Sequence, residues 1–266
     1  YTLTIGVATG NGTITTPAGA GPHTYNYDSG LAIEATPDLG WEFVNWTGTG
    51  AVNLADTTSA NTTILNPVYS DTEIYANFKL IDYTLTVTIS GAFGTGSVTQ
   101  NPNQAFYHIG DVVDLTAVPG TGEQFDNWSG DAINISGDQC QVEFDGTGNK
   151  TVTANFDYID YTLNVSIVEP FPGEGTAVNK NPDLVVYHYG DVVTLTAQPG
   201  TGENFLQWSG PDAGDLTPNT LDYEVEIVID ADKNVTCDFE KRTVWLTMAT
   251  AGGGSCTTIP AVWPVY

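Results

Sequence analysis

The chain repeats itself. Tyr1-Thr2-Leu3-Thr4 recurs as Tyr83-Thr84-Leu85-Thr86 and as Tyr161-Thr162-Leu163-Asn164, and each copy runs through a Trp motif to an aromatic strand closing on Phe78, Phe156 or Phe239. Self-similarity at a fixed spacing constrains the fold more than any single residue, because it strings one small unit into an array whose units meet mainly their neighbours. The 266 residues divide into units 1–81, 82–159 and 160–241, followed by a remnant, 242–266. A unit of about 80 residues holds only a modest core, so contacts with neighbours or bound cations would help it.

Within each unit the pattern is that of strands. Leu85, Val87 and Ile89 alternate with Thr84, Thr86 and Thr88, a period of two with β-branched residues. A Gly-x-Gly follows in every copy, at Gly10 and Gly12, Gly94 and Gly96, Gly173 and Gly175, and Gly252 and Gly254. It joins two strands and opens no helix, so it reads as a hairpin turn rather than a phosphate cradle. The second strand stops near Pro17, Pro102, Pro182 or Pro260, and the third carries Leu31, Ile33 and Ala35, then Val113, Leu115 and Ala117, then Val193, Leu195 and Ala197. The aromatic signature is next: Trp41, Phe43 and Trp46, then Phe125 and Trp128, then Phe205 and Trp208. Residues three apart face opposite sides of a regular strand, so burying both predicts a bulge. No window keeps a helical period, and 29 Gly with 14 Pro complete an all-β array: three small β-domains plus a partial fourth repeat. Linkers such as Leu80-Ile81-Asp82 and Tyr158-Ile159-Asp160 are short, which predicts closely coupled units.

Charge excludes whole classes of function. The chain carries 32 acidic and 6 basic residues, a net of −26. There is no basic patch to neutralise phosphates, which speaks against nucleic acid and against an anionic membrane surface. Such self-repulsion opposes close packing of subunits unless cations screen it, and points to calcium or high salt outside the cell. No apolar run is long enough to cross a bilayer as a helix, and there is no signal peptide or initiator Met. Starting on the first residue of a repeat, the chain reads as a processed or truncated piece of something longer.

The order Tyr-Thr-Leu-Thr, Gly-x-Gly, Tyr-x-x-Gly-Asp-Val-Val-x-Leu-Thr-Ala-x-Pro, Phe-x-x-Trp-Ser-Gly, Lys-x-Val-x-Ala-Asn-Phe resembles the divergent InlB B-repeat family of bacterial and archaeal surface proteins. In copy 2 the matching positions are Tyr107, Gly110, Asp111, Leu115, Pro119, Phe125, Trp128, Gly130 and Phe156, and copy 3 matches about as well. Copy 1 departs, with Tyr25-Asn26-Tyr27 in place of the Tyr-His pair and Leu31 beside Gly30. The resemblance covers nearly the whole chain. It implies small β modules used in tandem as stalks, spacers and adhesive segments of secreted proteins, and it carries over no catalytic residue.

Candidate sites are few. Trp46, Trp128 and Trp208 are either core anchors, each burying on the order of 200 Å², or exposed platforms for stacking on sugars. His108 and His188 are equivalent, but copy 1 has Asn26 there, and no nucleophile or carboxylate pair stands at a set spacing; a turn role is the default. Asp230, Asp232 and Asn234 resemble the opening of a calcium loop, but Val235 and the lack of a closing Glu break it, so a hairpin turn is favoured. Asp131, Asp138, Asp212 and Asp215 in the variable loops are open as adventitious cation sites. Cys140, Cys237 and Cys256 have no metal-ligand spacing. Cys237 stands where copies 1 and 2 have Ala76 and Ala154, which reads as a small core residue, and a Cys237–Cys256 disulfide is the alternative. Asn-x-Ser/Thr sequons occur at Asn11, Asn45, Asn61, Asn127, Asn134, Asn149, Asn164 and Asn234. That is more than chance would give and suggests a glycosylated surface protein, or else simply reflects Thr-rich strands beside Asn-rich turns.

The remnant is the sharpest feature. Val244, Leu246 and Met248 alternate, the Gly-rich turn follows, and Tyr266 aligns with Tyr25, so the segment matches the opening hairpin of a repeat and nothing after it. Either the polypeptide continues, or a neighbouring subunit completes the hairpin by strand addition, with Val244, Leu246, Met248, Cys256, Trp263 and Tyr266 at the joint. The expected function is therefore an extracellular, non-enzymatic structural repeat protein, a stalk or a filament subunit that associates head to tail. The alternative is a carbohydrate-binding or adhesive module of a larger secreted protein, recognising surface glycans. No cofactor is expected beyond Ca2+, and no nucleic acid or membrane insertion.

Overall fold

The computed structural model describes residues 1–24, 30–65, 69–91, 93–170 and 176–244. Repeat 1 is built from β1 (Thr2–Thr9), β2 (Gly12–Thr16), β3 (Gly21–Thr24), β4 (Ala32–Pro37), β5 (Trp41–Thr47), β6 (Asn61–Thr63) and β7 (Thr72–Leu80). Repeat 2 holds β8 (Leu85–Gly91), β9 (Ser97–Asn101), β10 (Val112–Val118), β11 (Glu123–Gly130), β12 (Ile133–Ser136), β13 (Gln139–Glu143) and β14 (Lys150–Tyr158). Repeat 3 holds β15 (Leu163–Val168), β16 (Ala177–Asn181), β17 (Val192–Gln198), β18 (Glu203–Ser209), β19 (Glu224–Val228) and β20 (Lys233–Lys241). The structure is nearly all β, with two one-turn helices at Ala51–Asn53 and Ala213–Asp215.

Each repeat is two sheets on a shared core. One sheet has the order β3-β1-β7-β5 in repeat 1, β8-β14-β11 in repeat 2 and β15-β20-β18 in repeat 3; the other is β2-β4-β6, β9-β10-β13-β12 and β16-β17-β19. The first and last strands of every repeat run parallel, Leu3 beside Thr72, Leu85 beside Lys150 and Leu163 beside Lys233. The aromatic-signature strand then packs antiparallel on the last strand. The register slips there between Phe43 and Asn45 and again between Phe205 and Gln207, the bulge that the Phe-x-x-Trp spacing predicts.

One expectation is corrected. In repeats 1 to 3 the first two strands do not form a hairpin: β1 and β2 lie in opposite sheets, as do β8 and β9, and β15 and β16. In repeats 1 and 2 the glycines turn a corner around the closing Phe. A Cβ on Gly10 would overlap the Phe78 carbonyl and one on Gly12 the Phe78 ring, and Gly91 and Gly96 stand in the same relation to Phe156. Gly10, Gly12, Gly91 and Gly96 are there for close approach, whereas Gly94 has open space and a positive φ of 67°, and the turn carries the chain from one sheet to the other.

Three separate hydrophobic clusters form, one per repeat, each drawing residues from both sheets. Leu3, Ile5, Ile33, Ile74 and Ala76 are fully or almost fully buried in repeat 1, as are Val113, Leu115, Val152 and Ala154 in repeat 2 and Val193, Leu195, Ile227 and Cys237 in repeat 3. By compactness the chain divides into two units: Tyr1–Gly120 with Phe125–Phe156, and Thr121–Gln124 with the chain from Asp157 onward. Within the first, repeats 1 and 2 are fastened at the linker. Ile81 N donates to Gly40 O at 2.9 Å, and Gly40 and Gly146 leave room for the Ile109 side chain. The same backbone bond recurs within the second unit, from Ile159 N to Gly122 O and from Arg242 N to Gly202 O.

Candidate functional site

The residues that recur between repeats were the candidates, and the structure places most of them in the framework. Trp46, Trp128 and Trp208 are 2%, 6% and 2% exposed, leaving no indole face for a sugar. Each packs at a tilt of 51–56° against the Phe of its own motif, at 5.4, 5.5 and 5.8 Å between ring centres, and that Phe meets Phe78, Phe156 or Phe239 edge-on. The indole N–H of Trp46 donates to Ser59 O and that of Trp208 to Asp222 O, both at 2.9 Å. In repeat 2 the stretch after Trp128 is shorter and folds into the β12–β13 hairpin instead. Trp128 Nε1 is buried without a hydrogen-bond partner among the described residues.

The Tyr-His-x-Gly-Asp stretch is a pinned corner. Tyr107 and Tyr187 are fully buried. The Tyr107 hydroxyl donates to Pro102 O and accepts from Gln104 N, both at 2.9 Å; that of Tyr187 donates to Pro182 O at 2.9 Å and accepts from Leu184 N at 3.0 Å. Asp111 and Asp191 accept from the backbone N–H of His108 and His188 at 2.8 Å, closing the turn. The two imidazoles face the linker, with Nε2 3.0 Å from Asp82 Oδ1 and 3.4 Å from Asp160 Oδ1. The His188 ring also lies 4.3 Å from that of Tyr158. The buried Tyr hydroxyls were not singled out from sequence, although Tyr stands at this point in copies 2 and 3.

The three residues that resemble a calcium loop do not converge. Asp230 pairs with Lys233, Asp232 Oδ1 accepts from Thr162 N at 2.8 Å, and Asn234 Oδ1 accepts from Asn164 Nδ2 at 3.2 Å. Asp131 and Asp212 pin the last strand, accepting from Thr151 N and Asn234 N at 2.7 Å, while Asp138 receives Ala117 N on its backbone carbonyl. Among the described residues no group of three or more His, Cys, Asp and Glu side chains comes together.

What sequence reasoning missed is the ion pairing of the lysine that opens the last strand in repeats 2 and 3. Lys233 is 5% exposed and its ammonium sits 2.7 Å from Asp215 and 2.5 Å from Asp230. Those two carboxylates raise its pKa above the ordinary value, and the Lys233 ammonium in turn lowers that of Asp230. Repeat 2 repeats the device with Lys150 on Asp145 at 2.9 Å; the Thr147 hydroxyl and then Lys150 hold the Asp145 carboxyl well below the usual range. Repeat 1 puts buried Thr72 there instead. The signal was available, since two of only six basic residues fall at one repeat position.

Cys237 and Cys140 are buried free thiols, and burial pushes them up to about 12 and about 11. Cys237 is fully buried, like Ala76 and Ala154 at the matching positions. Its candidate partner, Cys256, lies outside the described residues, as do the joint candidates Leu246, Met248, Trp263 and Tyr266; Val244 is 44% exposed. Of the sequon asparagines, Asn11, Asn61, Asn127, Asn134, Asn149, Asn164 and Asn234 are exposed and Asn45 is half-buried. Asn45 and Asn127 are tied into the sheet, receiving Asn77 Nδ2 at 3.0 Å and Asn155 Nδ2 at 2.9 Å on their Oδ1 atoms. No helix among the described residues is long and apolar enough to cross a membrane.

A family profile described as divergent InlB B-repeat domain matches residues 1–82, 83–160 and 168–243. No curated protein matches the chain. Among solved structures, the Bacillus anthracis TIE protein aligns over 82% of this chain and 45% of its own length, at 8% identity and a TM-score of 0.34. The chain thus spans less than half of that structure.

Proposed function

The chain belongs to the divergent InlB B-repeat family, a non-catalytic repeat family typical of cell surfaces, and from that premise we propose that it is an extracellular structural array, a stalk or filament segment that joins copies of itself head to tail. The observation that carries this reading is where the recurring residues lie. Trp, Phe, Tyr and the strand aliphatics common to the repeats are spent on three separate cores, and the recurring Asp, Asn and Lys side chains on turns and strand pins. Selection for a rigid repeating unit keeps such positions, whereas selection for one ligand would keep a cluster of exposed polar groups in a single copy.

In this reading the remnant 242–266, without charge from Thr243 onward, supplies the opening strands of a fourth repeat, and a neighbouring subunit pairs with them. Electron microscopy of native material tests the proposal. Regular filaments built from repeated copies of the chain are expected; dispersed single chains in the native state would overturn it.

A further inference from the structure

The three repeats differ at one sheet edge. In repeat 1, β3 lies antiparallel along the outer side of β1 and pairs with Thr2, Leu3, Thr4 and Ile5. Repeats 2 and 3 reduce this to a single bridge, Tyr107 to Tyr83 and Tyr187 to Tyr161. Beyond it, no strand among the described residues pairs with the outer side of β8 or β15. Coverage of the core falls accordingly: Ile5 is fully buried while Val87 is half-buried, and Ile89, two residues on, is 43% exposed.

The backbone of β8 is set to receive a strand. A residue's N–H and C=O point to one side of its strand and alternate along it. Thr84 O faces β14, accepting from Lys150 N at 3.0 Å, and Tyr83 faces the other way, toward Tyr107. Leu85, Val87 and Ile89 share the side of Tyr83, so their donors and acceptors line the open edge. Bare edges of this kind recruit extended chains.

Charge narrows the occupant. From Tyr83 to Gly110 there is no Asp, Glu, Lys or Arg, whereas β15 is followed at once by Glu169. The stretch Thr243–Tyr266 also carries none, and Val244, Leu246 and Met248 alternate there. Two copies of a chain at −26 meet with least repulsion where neither brings a carboxylate. We infer that the outer edge of β8 is a strand-accepting site for a second copy of this chain, which adds its Thr243–Met248 run there as repeat 1 adds its own β3 to β1. This rests on the head-to-tail reading and gives it an acceptor.

Light scattering on the full chain over a range of NaCl tests it. The parent chain should associate increasingly as salt screens its charge. Val87→Pro removes an edge-facing N–H together with a half-buried side chain that packs on the repeat 2 core, and Ile89→Lys puts a charge on the edge. Each should weaken association about tenfold or more, with circular dichroism unchanged. Val165→Pro, on β15, should leave it intact. If Val87→Pro unfolds repeat 2, Ile89→Lys decides. Parent-like association of the edge variants, alongside its loss in a Val244→Asp, Leu246→Asp double variant, would place the acceptor elsewhere, overturning this inference and sparing head-to-tail assembly. A parent chain that stays monomeric at every salt concentration overturns both.

Discussion

At the scale of single residues, the three Trp positions form an internal experiment. Trp46 and Trp208 each satisfy a backbone carbonyl, and Trp128 satisfies none. Trp→Phe at 46 or 208 leaves a carbonyl stranded and should cost about 1–3 kcal/mol more than Trp128→Phe. Calorimetric unfolding of the three variants reads this, and equal losses would show that the indole N–H contributes nothing. Lys233 gives a second expectation. Asp230 and Asp232 have lowered pKa values, so the stabilisation they supply is present above the unfolded carboxylate range and is lost as pH falls through the folded values. The raised pKa of Lys233 has the opposite sense: its stabilisation is present below 10.5 and is lost as pH rises through the folded value. Lys233→Met should leave stability near pH 7 within about 1 kcal/mol of the parent, because the freed carboxylates rehydrate. It should also make both the acid and alkaline flanks of a melting-temperature profile shallower. An unchanged alkaline flank would remove Lys233 from the account. The Trp anchors were legible in the sequence because an aromatic recurring in every copy of a small unit has few uses besides its core. The lysine was harder to see, since a lone Lys in an acidic chain reads as surface until the fold brings Asp215, 18 residues upstream, against it.

At the scale of elements, strand content, the closing Pro residues and the bulge could all be read from alternation and spacing. Which sheet each strand joins could not, because alternation of apolar and polar residues is identical for a hairpin and for a corner between two sheets. The choice is made by Phe78 and Phe156, about 65 residues downstream of the glycines they pack against, and sequence order gives no sign of that contact. It follows that Gly96→Ala should destabilise repeat 2 by roughly 1–3 kcal/mol through crowding of the Phe156 ring, and that Phe156→Leu should recover part of the loss in a double-mutant cycle. Additive effects would show that the turn and the ring are independent.

At the scale of the whole molecule, the excess of acid over base sets the conditions under which the array is stable. The melting temperature should rise with NaCl and level off by about 1 M, where charges more than about 3 Å apart are screened. A flat response would mean that the carboxylates are spaced too far apart to interact. The parallel pairing of first and last strands has a mechanical consequence. The chain enters each repeat at one end of a two-strand ladder and leaves at the other, so tension along the chain slides the two strands past one another. In repeat 2 the seven paired positions from Leu85–Lys150 to Gly91–Phe156 then resist together rather than opening one at a time. Optical-tweezer handles at Tyr1 and Leu80 should therefore rupture repeat 1 at a higher force than handles at Tyr1 and Asp71, which peel β1 from β7 starting at the Thr2–Asp71 contact. A tether pulled along its length meets this fold in its strongest direction.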